Sequence, residues 1–223
     1  MTYKFSPSSL SLLKDCHRCF WLNFNKNIKR PDTIFPSLPS GMDKVLKEHF
    51  DQFMKKGELP PELLQLKGEV KLFDDEELLK VWRSNFKGIQ WTDKKGNLIH
   101  GAIDNLLQKG KKLIVLDYKT RGFPLKEDTH EHYRDQMDIY NFLLRKNGYE
   151  TEDYTYLLFY HPSKVHENGD VDFHKDLVKI KVNIKNAESI FKKAIKVLEA
   201  EMPAPSKDCG FCKWIEVCNC EIE

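Results

Sequence analysis

The stretch Gly101–Thr120, GAIDNLLQKGKKLIVLDYKT, limits what this chain can fold into more than any other. Two apolar runs rich in Leu, Ile and Val flank a short polar turn at Lys109-Gly110-Lys111, which is the pattern of two strands of a hairpin. Charges interrupt both runs: Asp104 in the first, Asp117 and Lys119 in the second. An unpaired charge among such side chains is costly to bury, and a bound cation is the simplest compensation. Asp117 and Lys119 are two apart and share one strand face. A two-residue turn at Lys109-Gly110 pairs 108 with 111, and a four-residue loop with 107 opposite 112 keeps that register. Either places Asp104 opposite Val115 and diagonal to Asp117 on the same face, roughly 7–8 Å away. Two carboxylates there converge on a hard divalent ion such as Mg²⁺, which takes oxygen ligands and keeps open water positions. Lys119 beside the ion is placed to orient an attacking water or to stabilise developing negative charge.

Asp104, then Asp117-Tyr118-Lys119, resembles the D…(D/E)-x-K core of the PD-(D/E)XK nuclease superfamily, and Gln136-Met137-Asp138-Ile139-Tyr140 resembles the Q-x-x-x-Y motif of its RecB-like branch. A lone D-x-K is weak, but the ordered set is specific. The resemblance implies an α/β, restriction-endonuclease-like fold, with a mixed central sheet flanked by helices. It also implies that Asp104, Asp117 and the Tyr118 backbone carbonyl bind Mg²⁺ or Mn²⁺, and that Lys119 positions the water. Gln136 would hold the water or metal shell, and Tyr140 would contact the nucleic-acid backbone. Gln136 and Tyr140 are i and i+4, adjacent on a helix read from about Glu131 to Lys146, whose apolar stripe is Tyr133, Met137, Tyr140 and Leu144. The implied activity is a metal-dependent DNA nuclease, an exonuclease on single-stranded ends, in repair and recombination, CRISPR adaptation or phage DNA processing. A nuclease–helicase or CRISPR adaptation complex is the implied protein partner. Two other classes stand beside it: a catalytically weak DNA-binding or adaptor subunit that keeps the fold, and a zinc-stapled hydrolase of a non-nucleic substrate.

The family often carries a metal-binding His at G-x-x-x-H on an early helix. Here Gly41 to Lys56 reads as that helix, with Val45, Leu46, Phe50 and Phe53 on its apolar side. Val45 occupies the His position, and His49 lies one turn later. His49 is therefore either a metal ligand, if the helix slides by a turn, or a structural residue.

The six cysteines bring in composition. A formal charge of +2 does not announce a nucleic-acid binder. No apolar run reaches the ~18 residues of a membrane span, and MTYKFSPSSL lacks the apolar core of a signal peptide. A cytoplasmic setting, in a cell or for a phage protein in its host, is the expectation. There cysteines are metal ligands or core residues rather than disulfides. Ser6-Pro7 starts a helix, with Leu10, Leu13 and Phe20 at helical spacing and Cys16 and Cys19 along it. The tail reads Cys209-x2-Cys212-x5-Cys218. With Cys16, this resembles the iron–sulfur clasp of CRISPR-associated RecB-like nucleases. That resemblance implies a [4Fe–4S] cluster on Cys16, Cys209, Cys212 and Cys218, with Cys19 non-ligating. Zinc on Cys16-x2-Cys19 and Cys209-x2-Cys212 is the alternative. The expected organisation is residues 1–30 and 201–223 as the cluster module around a nuclease core at 31–200.

The remaining elements are read by pattern. Asp74 to Trp82 is a helix with an acidic first turn, and Gly88–Thr92 is a strand. Asp93–Asn97 is a turn into a strand ending near Gln108. Strands follow at Asp153–Tyr160 and within Val171–Val182, joined through a His161-Pro162 loop and an Asn168-Gly169 turn. Asn186–Glu201 is an amphipathic helix.

Overall fold

A computed structural model describes residues 2–32, 34 and 36–221, with the side chains of 218–221 excepted. In chain order the elements are β1 (Lys4–Phe5), α1 (Pro7–Asp15), α2 (His17–Asn25), α3 (Ser37–Lys56), β2 (Lys71–Leu72), α4 (Glu76–Trp82), β3 (Ile89–Thr92), β4 (Leu98–Gly101), β5 (Asn105–Lys109), β6 (Lys112–Thr120), α5 (Arg134–Lys146), β7 (Tyr154–Val165), β8 (Val171–Lys181), α6 (Ile184–Glu199) and α7 (Gly210–Glu221). Short 3₁₀ turns at Pro61–Leu66 and Thr129–Tyr133 precede β2 and α5. Among the described residues no helix is long and apolar enough to cross a membrane.

The expected mixed α/β architecture is present. A five-stranded sheet runs β2-β5-β6-β7-β8, with β6 and β7 parallel and every other neighbour antiparallel. The parallel pair requires a crossover, and α5 supplies it. A smaller sheet runs β1-β4-β3. Helix α5 lies against β3, β4 and β6 and meets α1 and α6. It is consequently buried on almost every side from Met137 to Leu144 rather than along one stripe. Two polar residues are carried inside with it. Asp138 accepts the Asn183 backbone N–H at 2.7 Å and the Asn186 Nδ2 at 2.8 Å, fixing the start of α6. Asn141 returns Nδ2 to the Met137 carbonyl at 2.9 Å.

Four boundaries depart from the sequence reading. The hairpin pairs Lys109 with Lys112 around Gly110-Lys111, a two-residue turn set one residue further along than expected, with Gly110 at φ 58°. Its first apolar run is broken: β4 belongs to the small sheet and β5 to the large one. At that break the Trp82 carbonyl accepts the Ile103 N–H at 2.9 Å, and the Asp104 carbonyl accepts Arg83 Nε at 2.7 Å. The N-terminal helix is two helices, because Cys16 is extended (φ −163°, ψ 113°). Its Sγ then caps α2, accepting the Cys19 N–H at 3.4 Å. Finally, β7 runs straight through His161-Pro162, with a bulge between Pro162 and Lys164, so the β7–β8 ribbon is longer than expected.

Candidate active site

Pairing Asn105 with Leu116 across β5 and β6 sets Asp104, just before β5, against Asp117 rather than diagonal to it. The slip is two residues, so the shared face survives it. Asp117 is buried to 1 % side-chain exposure, and its Oδ2 lies 2.5 Å from Lys119 Nζ. That contact is an ion pair out of hydrogen-bond alignment, since Asp117 Oδ2 has no hydrogen-bond partner. Asp104 accepts the Tyr118 N–H on Oδ2 at 3.2 Å, and its Oδ1 lies 3.0 Å from Lys47 Nζ. In an extended strand the N–H and C=O of one residue point to the same neighbour. The Tyr118 carbonyl therefore faces Asp104 as well. The Tyr118 ring turns to the other side of the sheet, with its hydroxyl 2.8 Å from Asn105 Nδ2 and its ring 4.8 Å from Phe50.

Burial pushes the Asp117 carboxyl up to about 7, Lys119 opposes that, and the neighbouring Asp104 adds to it. Burial works against the Lys119 ammonium, but Asp117 and Asp104 outweigh it and hold its pKa above the usual lysine value. Two carboxylates and a buried oxygen without a hydrogen bond fit a divalent cation, which would replace the proton that burial favours on Asp117.

A cavity of about 490 Å³ opens over these groups. Gln136 and Tyr140 line it from α5, linked by Gln136 Nε2 donating to the Tyr140 hydroxyl at 2.8 Å. Tyr140 is buried apart from this edge, and its ring packs on Gly101, where a Cβ would come within 2.7 Å of it. Burial and the negative charge of Asp117 and Asp104 keep its hydroxyl protonated well above the usual range. Ser6, Pro7 and Ser8, at the start of α1, form part of the wall. A neighbouring cleft of about 620 Å³ shares Pro7, Ser8 and Gln136 and continues past Lys14 and His132.

His49 is not at this site. Asp43 and Lys47 line the cavity from α3, and residues two apart on a helix face nearly opposite directions. His49 Nε2 instead lies 3.2 Å from Glu62 Oε2, with Phe50 and Phe53 beside the ring. The inner face of α3 is Leu46, Phe50 and Met54, and Val45 is exposed. Sequence reasoning missed Asp43 and Lys47, whose Nζ–Oδ2 contact is 2.7 Å. Their i, i+4 spacing was visible but common. It also missed Arg83, which grips the Asp104 carbonyl and bonds Asp51 Oδ2 at 2.8 Å. His100 on the cavity wall, its pKa lowered by burial and then by Lys4, was missed too.

A second group of ligands ties the ends of the chain. Cys16, Cys19, Cys209 and Cys212 place their sulfurs within 4.8 Å of one another. Cys16 and Cys212 are 3.7 Å apart, and Cys19 and Cys209 3.6 Å. Cys19, non-ligating in the iron–sulfur reading of the sequence and a ligand in the zinc alternative, is thus in the group. The side chain of Cys218, expected as the fourth ligand, lies outside the described residues. Burial pushes the Cys19 thiol up to about 12. Burial works in the same direction on Cys209, but the Cys212 N–H and the surrounding thiols donate to it and bring it down to about 6. Arg30 adds positive charge, with Nη2 3.6 Å from Cys209 Sγ and the guanidinium 4.7 Å from the Phe211 ring centre.

Set beside known proteins, residues 4–219 match the family model described as the PD-(D/E)XK nuclease superfamily. No individually curated protein matches.

Proposed function

Because the chain belongs to the PD-(D/E)XK nuclease superfamily, we propose that it is a divalent-metal-dependent DNA nuclease that hydrolyses phosphodiester bonds, working as an exonuclease on single-stranded ends. The observation that carries this reading is Asp104 against Asp117, with Lys119 on the same face, at the base of one cavity. Asp104, Asp117 and the Tyr118 carbonyl would hold Mg²⁺ or Mn²⁺. When bound, such an ion polarises a phosphoryl oxygen and lowers the pKa of its water. Lys119, on the same face, would orient that water and offset the charge that builds on the scissile phosphate. Gln136, fixed by Tyr140, presents its remaining amide atoms to the same space. The Gln136–Tyr140 pair on the cavity wall supports the RecB-like branch. The neighbouring cleft along α1, which shares Pro7, Ser8 and Gln136 with this cavity, supports a path for a strand of nucleic acid toward the two acids.

For the terminal cysteines the geometry favours zinc over the iron–sulfur cluster. A tetrahedral ion with Zn–S of about 2.3 Å sets its sulfurs about 3.8 Å apart, matching the 3.6 and 3.7 Å separations. A [4Fe–4S] cluster must fit four irons and four sulfides between its thiolates, which forces them well beyond that spacing. Elemental analysis and a visible spectrum of anaerobically purified protein separate the two. Zinc without a charge-transfer band is the expected result, and iron with such a band would refute it.

The catalytic reading is tested with labelled linear single-stranded DNA, linear duplex, circular single strands and RNA in Mn²⁺. Linear single-stranded DNA should be degraded and circles spared, and Asp117→Ala or Lys119→Ala should abolish degradation. Cleavage unchanged in either variant would sink the assignment. One observation favours a second reading, an adaptor that binds DNA with little catalysis: the Lys47 ammonium already neutralises Asp104. Calorimetry that finds DNA binding without divalent-metal binding would select that reading.

A further inference from the structure

The long β7–β8 ribbon carries a constellation that the nuclease reading does not use. His161 and His174 are directly paired across the two strands, and Asp176 follows His174 by two residues. All three therefore project from one face. Their ligand atoms lie within 4.8 Å of one another, and the two imidazole centres are 5.1 Å apart.

The hydrogen bonds give this cluster its direction. His161 is buried, and its Nδ1 is 3.3 Å from the Pro162 carbonyl. A carbonyl only accepts, so Nδ1 carries the hydrogen, and in the neutral ring Nε2 is left with a lone pair. Nε2 faces Asp176 Oδ2 at 3.7 Å, too far for a hydrogen bond. Asp176 Oδ1 is 3.2 Å from His174 Nε2. A ring whose outer nitrogen is locked by a backbone carbonyl, with the other nitrogen aimed at a second imidazole and a carboxylate, is the arrangement that orients histidine ligands.

We propose that His161 Nε2, His174 and Asp176 form a site for a borderline divalent cation of the Zn²⁺ class, separate from the nuclease centre. Two nitrogens and one oxygen select such an ion over Mg²⁺, which prefers oxygen alone. Three protein ligands leave a position for water or a phosphate oxygen. Asp176 pairs with Phe159, and Phe159 with Lys119. The site thus shares the face of Lys119 two strands away, on the order of 10 Å. The ion would pin β8 to β7 just before the bulge at Pro162/Lys164.

The test is a Zn²⁺ titration of the full chain followed by long-range ¹H–¹⁵N spectra of the imidazoles. The Nε2 signal of His161 should move together with the signals of His174 in one saturable step, while Mg²⁺ moves neither. His174 is exposed, so His174→Gln should fold normally and weaken the His161 step by more than about tenfold. If His161 and His174 stay unmoved at saturating Zn²⁺ in the wild-type protein, or if His174→Gln leaves the His161 step unchanged, there is no such site. Neither result bears on cleavage at Asp117, so failure here is distinct from failure of the nuclease reading.

Discussion

Asp117 concentrates the chemistry because its surroundings pull in opposite directions. Burial and Asp104 favour the protonated form and lift its pKa to about 7, while Lys119 favours the carboxylate. A cation needs the carboxylate, so Mn²⁺ affinity should fall about tenfold per pH unit below ~7 and level off above it. Calorimetry between pH 5.5 and 8.5 measures this, and a flat profile would contradict it. The same raised pKa has a stability consequence in the metal-free protein. Stability that is fully present below the ordinary Asp pKa is lost as pH rises through about 7. Asp117→Asn should therefore stabilise the metal-free chain at pH 8, by on the order of 1 kcal/mol or roughly 2–4 °C in Tm, and by less than half as much at pH 5, where only part of the span between the two pKa values has been crossed. Thermal melts at the two pH values check the sign.

Among the elements, the packing of β4 against α5 sets how close the cavity wall stands to the acids. Gly101 ends β4 beneath Tyr140, where a Cβ would lie 2.7 Å from the ring. Gly101→Ala should cost about 1–3 kcal/mol by overpacking, whereas Gly41→Ala, in the interior of α3 with nothing within 4 Å, should gain about 0.5–1 kcal/mol. Denaturant titration of the two variants gives the contrast. The elements also show where sequence patterns stop being informative. Strand parity put Asp104 and Asp117 on one face because side chains alternate with period two, but a slip of two residues keeps every face and left the pairing partner unspecified. The break between β4 and β5 was invisible, since it involves Trp82 at the end of α4 and Arg83 just after it rather than the run Gly101–Gln108 alone. On α3 the apolar pattern marked the helix but misjudged its face, so His49 was considered where Asp43 and Lys47 stand. His161-Pro162 reads as a loop because Pro removes a ladder donor, and the bulge after it absorbs that loss.

At the scale of the molecule, the ends of the chain are joined twice. The thiol group spans Cys16 to Cys212, but α2 also bonds the end of α6 and the segment after it independently. Trp21 Nε1 donates to the Ala200 carbonyl at 3.0 Å, Asn25 Nδ2 to Leu198 at 3.0 Å and Arg18 to Pro203 at 3.3 Å. Removing the metal, or Cys209→Ser, should thus free α7 without unfolding α2 or α6. Amide hydrogen exchange should rise in Gly210–Glu221 and stay slow in His17–Asn25, and loss of protection in both would contradict the second tie. The mixed α/β class was legible only through the family resemblance that the ordered D…D-x-K and Q-x-x-x-Y residues carry. The joining of the ends was read only through cysteines, because α2's hydrogen bonds to residues 198–203 use backbone carbonyls that leave no sequence trace.

The central claim is that Asp104 and Asp117 grip one divalent ion beside Lys119. An anomalous difference map from crystals soaked in Mn²⁺ tests it directly. The account predicts one strong peak within bonding distance of both carboxylates and the Tyr118 carbonyl, lost in Asp117→Ala crystals. A map with no peak there, while Lys47 still holds Asp104, would contradict it.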